Sequence, residues 1–325
     1  MRIGTRGSAL ALAQARLVAG LLGGADIVVV RTSGDAQAQA LQNGELGTPD
    51  KRARGGDKSR WVAELEQALL ADQIDLAVHS AKDVPGELAE GLELLGAPAR
   101  AAVEDALIGA RSLEELPEGA CVGTSSVRRS AQLRAARPDL EVVSLRGNVD
   151  TRLGKLASAV IKSGDGSGGD ESSLHAIVLA SAGLWRLGRE RDIGCTLDAA
   201  HFVPAPGQGT LALQARTADE SVSAVVEAIL DKDASACLKA ERAVAHALEA
   251  SCNTPLGAHA APAGCGCLQL RAWVGLPDGS EWVGDELLGG FYDPEELGRR
   301  VAERLEAVGV RELLRRAEEM AVERA

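Results

Sequence analysis

Two short stretches of the chain set hydroxyls and guanidinium groups side by side: Thr5-Arg6-Gly7-Ser8, and Thr124-Ser125-Ser126 followed by Arg128 and Arg129. Each follows an apolar run that reads as a strand and opens a run that reads as a helix. Helix-start amides, hydroxyls and guanidinium groups all present positive hydrogens to oxygen, so the combination suits a carboxylate or a phosphate. Taken singly, Ser8 or Ser125 is an ordinary helix cap. The repetition in two parts of the chain points to a shared anion. The second stretch lies in a basic island: from Cys121 to Lys155, six Arg and one Lys stand against Asp139, Glu141 and Asp150, in a chain of net charge −12.

A third stretch, His79-Ser80-Ala81-Lys82-Asp83-Val84-Pro85, also follows an apolar strand, which places its polar groups at the same sheet edge. Asp83 suits a general acid or the counter-charge of a developing cation. The spacing supports equally a turn aspartate paired with Lys82. His79 reads as structural or as a hydrogen-bonding group beside a substrate. Cys252, in LEASCNTPLGAHA, stands on a loop just past a helix, a place for a reactive thiol or an attachment point. No phosphate-binding GxxxxGK[ST], no HExxH and no glycine-rich dinucleotide turn is present, which leaves nucleotide hydrolysis and hydride transfer without support.

The elements that must hold these residues alternate. Strands at Arg2–Thr5, Ile27–Arg31 and Ile74–His79 are separated by helices from Ser8 and near Trp61–Leu70, which predicts a parallel sheet covered by helices. A second set follows Arg100, with strands at Ala120–Val122, Glu141–Ser144 and Ala176–Ala180 and helices at Ser125–Ala136, Val149–Ala159 and Ala182–Leu187. HFVPAPGQGTLALQA carries the chain back, with a strand at Leu211–Gln214 extending the first parallel sheet before a helix near Val222–Leu230. The remainder reads as an α+β unit: a helix Ala236–Glu249, a hairpin-like pair Leu268–Val274 and Glu281–Leu287, and two helices from Pro294 onward. The expected domains are 1–98 with 209–228, 103–204 and 231–325. The polar runs from Ser33 and from Ser163 read as loops, the first a flap able to close over an anion.

Composition narrows the partners. Only 2% of residues are aromatic and 47 acidic residues outnumber 35 basic ones, which argues against nucleic acid. The apolar start is too short and too interrupted for a membrane span and lacks the layout of a signal peptide, so a cytoplasmic protein with no membrane partner is expected. Six Cys without framework spacing then read as thiols. Cys265-Gly-Cys267 lacks a second pair at zinc spacing, and no metal is expected.

IGTRGSALA, GDKSRWVAELE, DLAVHSAKDVP, VGTSSVRRSAQL, SLRGNVDTRL, LASAGLWRLG, PAPGQG and the Cys252 loop, in this order along nearly the whole chain, resemble the porphobilinogen deaminase (hydroxymethylbilane synthase) family. The resemblance implies two periplasmic-binding-protein-like α/β domains facing across a cleft, with a small α+β carboxyl-terminal domain. It implies a monomeric transferase of tetrapyrrole and haem biosynthesis that adds four porphobilinogen units to a dipyrromethane cofactor, held by a thioether to Cys252, and releases hydroxymethylbilane. Asp83 matches the catalytic aspartate, near the cation formed when porphobilinogen loses its amino group.

Arg6, Ser8, Lys58, Ser80, Lys82, Thr124, Ser125, Ser126, Arg128, Arg129, Arg146, Gly147, Arg152, Arg186 and Gln208 match the cofactor- and substrate-binding positions. Each pyrrole carries two carboxylates, so a primer extended to six rings presents about twelve, which need fixed positive partners. The chain departs from the family pattern at Ala250-Ser251, where Gly-Gly is usual, at Trp61, where Phe is usual, and at Arg54 and Arg60. A non-enzymatic two-lobe anion-binding protein is the alternative on these residues. A metal-dependent acyl or phosphoryl transferase is a further one, without a visible ligand cluster.

Overall fold

The computed structural model describes residues 1–30, 57–164, 174–251, 253–264 and 266–323; within them the side chains of 57–60, 160–164 and 321–323 are not described. The first sheet contains β1 (Arg2–Thr5), β2 (Asp26–Val29), β3 (Leu76–Ser80), β4 (Leu92–Gly96) and β10 (Leu211–Arg216), in the order β2-β1-β3-β10-β4. Helices α1 (Ala9–Leu21) and α2 (Asp57–Leu70) cover it. β3 and β10 are buried along nearly their whole length, as their continuous apolar runs require of strands covered on both faces. Ile3, Val18, Leu76 and Leu213 form the core on one face, and Leu65, Leu69 and Ile74 pack on the other.

The second sheet repeats the plan with β5 (Asp105–Ile108), β6 (Cys121–Gly123), β7 (Glu141–Val143), β8 (Leu174–Ala180) and β9 (Cys195–Leu197), in the order β7-β6-β8-β5-β9. Its helices are α3 (Val127–Ala136), α4 (Val149–Gly164) and α5 (Ser181–Arg186). In each sheet four strands run parallel and one, next to an edge strand, runs against them: β10 in the first, β5 in the second. Each of these opposed strands follows directly on a segment that has just crossed from the other domain.

The expectation that the strand at Leu211 extends a parallel sheet is therefore corrected. Leu211 pairs with Ser80, at the cleft end of β3, and Gln214 with Ala77, deeper in the sheet. The chain re-enters at the cleft edge and can only run away from it; a parallel strand would need a further crossover to the opposite edge. The strand is followed by α6 (Glu220–Glu227), whose Val222 and Val226 join the first core.

The third unit is an antiparallel meander of β11 (Leu256–Pro262), β12 (Cys267–Gly275) and β13 (Trp282–Gly290). α7 (Lys232–Ala247), α8 (Pro294–Ala307) and α9 (Val310–Glu323) complete it, around Ala240, Val244, Leu268, Leu270, Val301 and Leu305. α7 begins before the expected Ala236 because Asp231 caps it, its carboxylate accepting from the Ala234 N–H at 2.7 Å.

The two crossing segments lie side by side, with the Ala101 N–H donating to the Gly209 carbonyl at 3.2 Å. Gly207 and Gly209 have φ of +73° and +84°, and a Cβ on Gly209 would stand 2.5 Å from the Ala101 oxygen, so the PAPGQG turn needs glycine there. Glu241 of α7, with no exposed surface, ties both segments to the third unit. Its carboxylate accepts from Arg100 at 2.7 and 3.1 Å, from the Gly207 N–H at 2.6 Å and from the Ala260 N–H at 2.8 Å.

Candidate functional site

The loops at the carboxyl ends of β1, β3, β6 and β7 open toward one cleft, where open α/β sheets hold their ligands. In the first domain Arg6, Ser80 and Asp83 line one small cavity together with Gln14, Trp61 and His79. Ser8 accepts from the Ala11 N–H at 3.3 Å and so starts α1. Ser80 accepts from the Gln14 amide at 2.8 Å. Ala81–Asp83 forms a single 3-10 turn after β3, which places Lys82 and Asp83 at the cleft edge.

Behind Asp83 runs a buried polar line. His79 Nε2 meets Gln214 Oε1 at 2.9 Å, and the Gln214 amide donates to Glu66 at 2.8 Å. With Gln214 offering its carbonyl oxygen, Nε2 carries the ring proton. Burial outweighs the neighbouring carboxylates and pushes the His79 pKa down to about 4, so the ring is neutral at physiological pH.

In the second domain Thr124 is buried, and Ser126 caps α3 by accepting from the Arg129 N–H at 3.4 Å. Ser125 donates to the Leu145 carbonyl. Arg146 is exposed, with its carbonyl accepting from Lys155 at 3.0 Å, and Gly147 has φ +123°. Arg152, on α4, lies close enough to Asp83 of the first domain for the two charges to interact, and also feels the like charge of Arg129.

Arg128 and Arg129 are engaged within the protein. Arg128 Nη2 donates to Asp105 Oδ2 at 2.7 Å and Arg129 Nε to Asp105 Oδ1 at 2.8 Å, while Nη1 of Arg128 and of Arg129 reach the carbonyls of Val203 and Val178 and Arg128 Nε meets no acceptor among the described residues. Gln208 completes this knot, its amide donating to Asp105 at 2.9 Å and to the Val103 carbonyl at 2.7 Å. Two guanidinium groups thus share one carboxylate, and the pair offers the cleft one net positive charge. Arg134 and Arg137 serve the framework: the first reaches the Pro277 and Val142 carbonyls, the second pairs with Asp139.

Arg152 and Arg186 differ. Burial, and for Arg152 the charge of Arg129 besides, brings both pKa values down to about 10. The Nε of each is shielded from solvent and makes no hydrogen bond among the described residues, although Arg186 Nη2 donates to the Gly209 carbonyl at 2.7 Å. A buried guanidinium with an unmet donor is costly in isolation and is relieved by an arriving anion.

The side chain of Lys58, Cys252 and the polar runs after Thr32 and Gly164 lie outside the described residues. Three contributors were not foreseen: Gln14, Asp105 and Glu241. Gln14 had a signal, because it stands on the buried stripe of α1 with Ala15 and Val18, where a polar side chain needs a partner. Asp105 and Glu241 had none, since their partners are remote in sequence.

Residues 1–224 match the family described as porphobilinogen deaminase, dipyromethane cofactor binding domain, and residues 235–307 match the porphobilinogen deaminase C-terminal domain. The chain belongs to the porphobilinogen deaminase family. The porphobilinogen deaminase of Deinococcus radiodurans is 42% identical over 321 residues, covering 96% of this chain and 97% of that protein. That of Deinococcus deserti is 42% identical over 98% of each chain, and that of Syntrophus aciditrophicus 39% identical over 98% of this chain and 99% of its own. Among solved structures, the methionine binding protein MetQ matches 70% of this chain and 89% of its own, with 13% identity and a TM-score of 0.38. A dipyrromethane carries carboxylates, and the unmet donors of Arg152 and Arg186 fit such a group.

Proposed function

We propose that this chain condenses porphobilinogen, with loss of ammonia, on a dipyrromethane held by Cys252, and that Asp83 attends the reacting centre. The observation that carries this reading is the placing of Asp83: it is the one carboxylate among the described residues of the cavity, with Arg6 beside it and Arg152 facing it from the other domain.

The bound dipyrromethane supplies a free pyrrole α-carbon to which the incoming ring is joined. The chain's own residues do the rest. Arg6, Arg152 and Arg186 hold the acetate and propionate carboxylates, which orients the rings and fixes the aminomethyl carbon. Lys58, Lys82, Thr124, Ser125, Ser126, Arg128, Arg129, Arg146, Gly147 and Gln208 extend the same binding wall, and Ser80, steadied by Gln14, places a hydroxyl at its edge.

As the amino group leaves, positive charge spreads over the pyrrole nitrogen of the incoming ring. A fixed carboxylate of Asp83 beside that nitrogen stabilises the charge without reorganisation. The same carboxylate would stand beside the ring nitrogen while the joined carbon gives up its proton, countering positive charge there. His79, neutral and buried, takes no part in proton transfer near neutrality.

The domain limits 1–98 with 209–228, 103–204 and 231–325, a monomeric state and a place in the cytoplasm belong to the same proposal. No described helix is long and apolar enough to cross a membrane. The test is intact-protein mass: the purified protein carries a dipyrromethane adduct, the adduct grows in steps of one ring with porphobilinogen, and Cys252→Ser lacks it. A wild-type protein with no adduct and no stepwise growth would sink the reading and favour the two-lobe binding protein.

A further inference from the structure

Trp61 stands near the start of α2 and lines the same cavity as Arg6, Ser80 and Asp83. Its ring lies against Arg6, whose guanidinium carbon is 3.6 Å from the ring centroid. Stacking of this kind engages the face of the guanidinium rather than its N–H edge, the edge by which arginine grips carboxylates. The indole has a donor of its own. Trp61 Nε1 is shielded from solvent and donates to no group among the described residues. Buried polar groups in native proteins are nearly always satisfied, so a shielded donor on the wall of a cavity marks a place where the acceptor arrives with the ligand.

We propose that Trp61 determines the strength of substrate binding: its ring face holds Arg6 in position, and its Nε1–H is a second donor to the porphobilinogen carboxylate that Arg6 receives. The inference rests on reading the cavity as the porphobilinogen site. The two contributions separate chemically. Trp61→Phe keeps an aromatic face under Arg6 and removes only the N–H; Trp61→Leu removes both.

Initial rates of the holoenzyme give KM and kcat for each variant. Trp61→Phe is expected to raise KM for porphobilinogen about three- to tenfold, the loss of one hydrogen bond, with kcat within about twofold of wild type. Trp61→Leu is expected to raise KM further, and in an Arg6→Gln background Trp61→Leu is expected to be no worse than Trp61→Phe, because the ring face acts through the arginine. In an Asp83→Asn background, which binds without turning over, adding Trp61→Phe weakens the equilibrium affinity by the same factor. A normal KM in Trp61→Phe overturns the indole donor. A Trp61→Leu variant that stays as much worse than Trp61→Phe in the Arg6→Gln background as in the wild type overturns the support of Arg6. Equal losses in kcat and in unfolding midpoint in Trp61→Phe reduce the residue to a packing role and overturn both. Failure of the wild-type protein to consume porphobilinogen would overturn the proposed function itself, whereas wild-type turnover with an unaltered Trp61→Phe overturns this inference alone.

Discussion

Replacing Asp105 by Asn tests whether the arginine pair of the GTSSVRR stretch is held by the protein's own carboxylate. Asp105 has no exposed surface, and Arg128 and Arg129 are only 4% and 5% exposed. Burial by itself would raise the Asp105 pKa, but the two guanidinium groups outweigh it and hold the value at about 2. Held that far below the unfolded value of about 3.9, the carboxylate contributes on the order of 2–3 kcal/mol of folding stability. Because the folded value lies below the unfolded one, this stability is fully present above about pH 5 and is lost as pH falls through 4 toward 2.

The Asn variant has no such titration and leaves two buried cations without their counter-ion, a change that costs about 3–5 kcal/mol. Equilibrium urea unfolding, followed by circular dichroism and tryptophan emission over a pH series, reads both effects. Asp105→Asn should be about 3–5 kcal/mol less stable at neutral pH, and its deficit should narrow progressively as pH falls from about 5 to about 3. A deficit under about 1 kcal/mol at neutral pH, or one that does not change with pH, would refute the assignment of charge in this knot.

Asp83→Asn should keep the unfolding midpoint and the covalent adduct, seen by intact mass, yet lose about 100-fold or more in kcat. Normal turnover in that variant would remove Asp83 from the reacting centre. Arg152→Met should stabilise the cofactor-free protein by about 1 kcal/mol, a rise of about 2–4 °C in midpoint, while raising KM about tenfold or more; a variant less stable without cofactor would show that its guanidinium is satisfied within the protein. The His79 ring, held to a pKa of about 4 by burial, should show no change in its NMR shifts between about pH 5.5 and pH 8. A titration near the ordinary histidine value would mean that water reaches it.

The legible elements were those whose neighbours in sequence explain them. β1, β3 and β6 are apolar runs that end at Thr, Ser or Gly, β8 is one that ends at Ala180 just before Ser181, and their positions follow from that local pattern. β5 and β9 escaped because DALI and CTL are too short for periodicity and open on a polar or small residue. β11, LGAHAAP, is built of small side chains that carry little strand signal. The direction of β10 could not be read at all, since a strand's side-chain pattern is the same whichever way its neighbours run.

Residue types and local turns were decided by the sequence: which loops carry hydroxyls and guanidinium groups, that Ser8 starts α1, and which glycines turn the crossing segments; the cap of α3 is Ser126, not the Ser125 expected, because Ser125 turns its hydroxyl to the Leu145 carbonyl. These depend on dihedral preferences and hydrogen bonds a few residues apart, which any stretch of chain carries with it. Which arginine is available to a ligand was decided only by the tertiary structure. Asp105 claims Arg128 and Arg129, Glu241 claims Arg100, and Trp61 lies against Arg6, while the Nε groups of Arg152 and Arg186 are left unmet. Charge is spelled out residue by residue, but its neutralisation acts through space at a few ångströms, and only the folded chain brings those partners together.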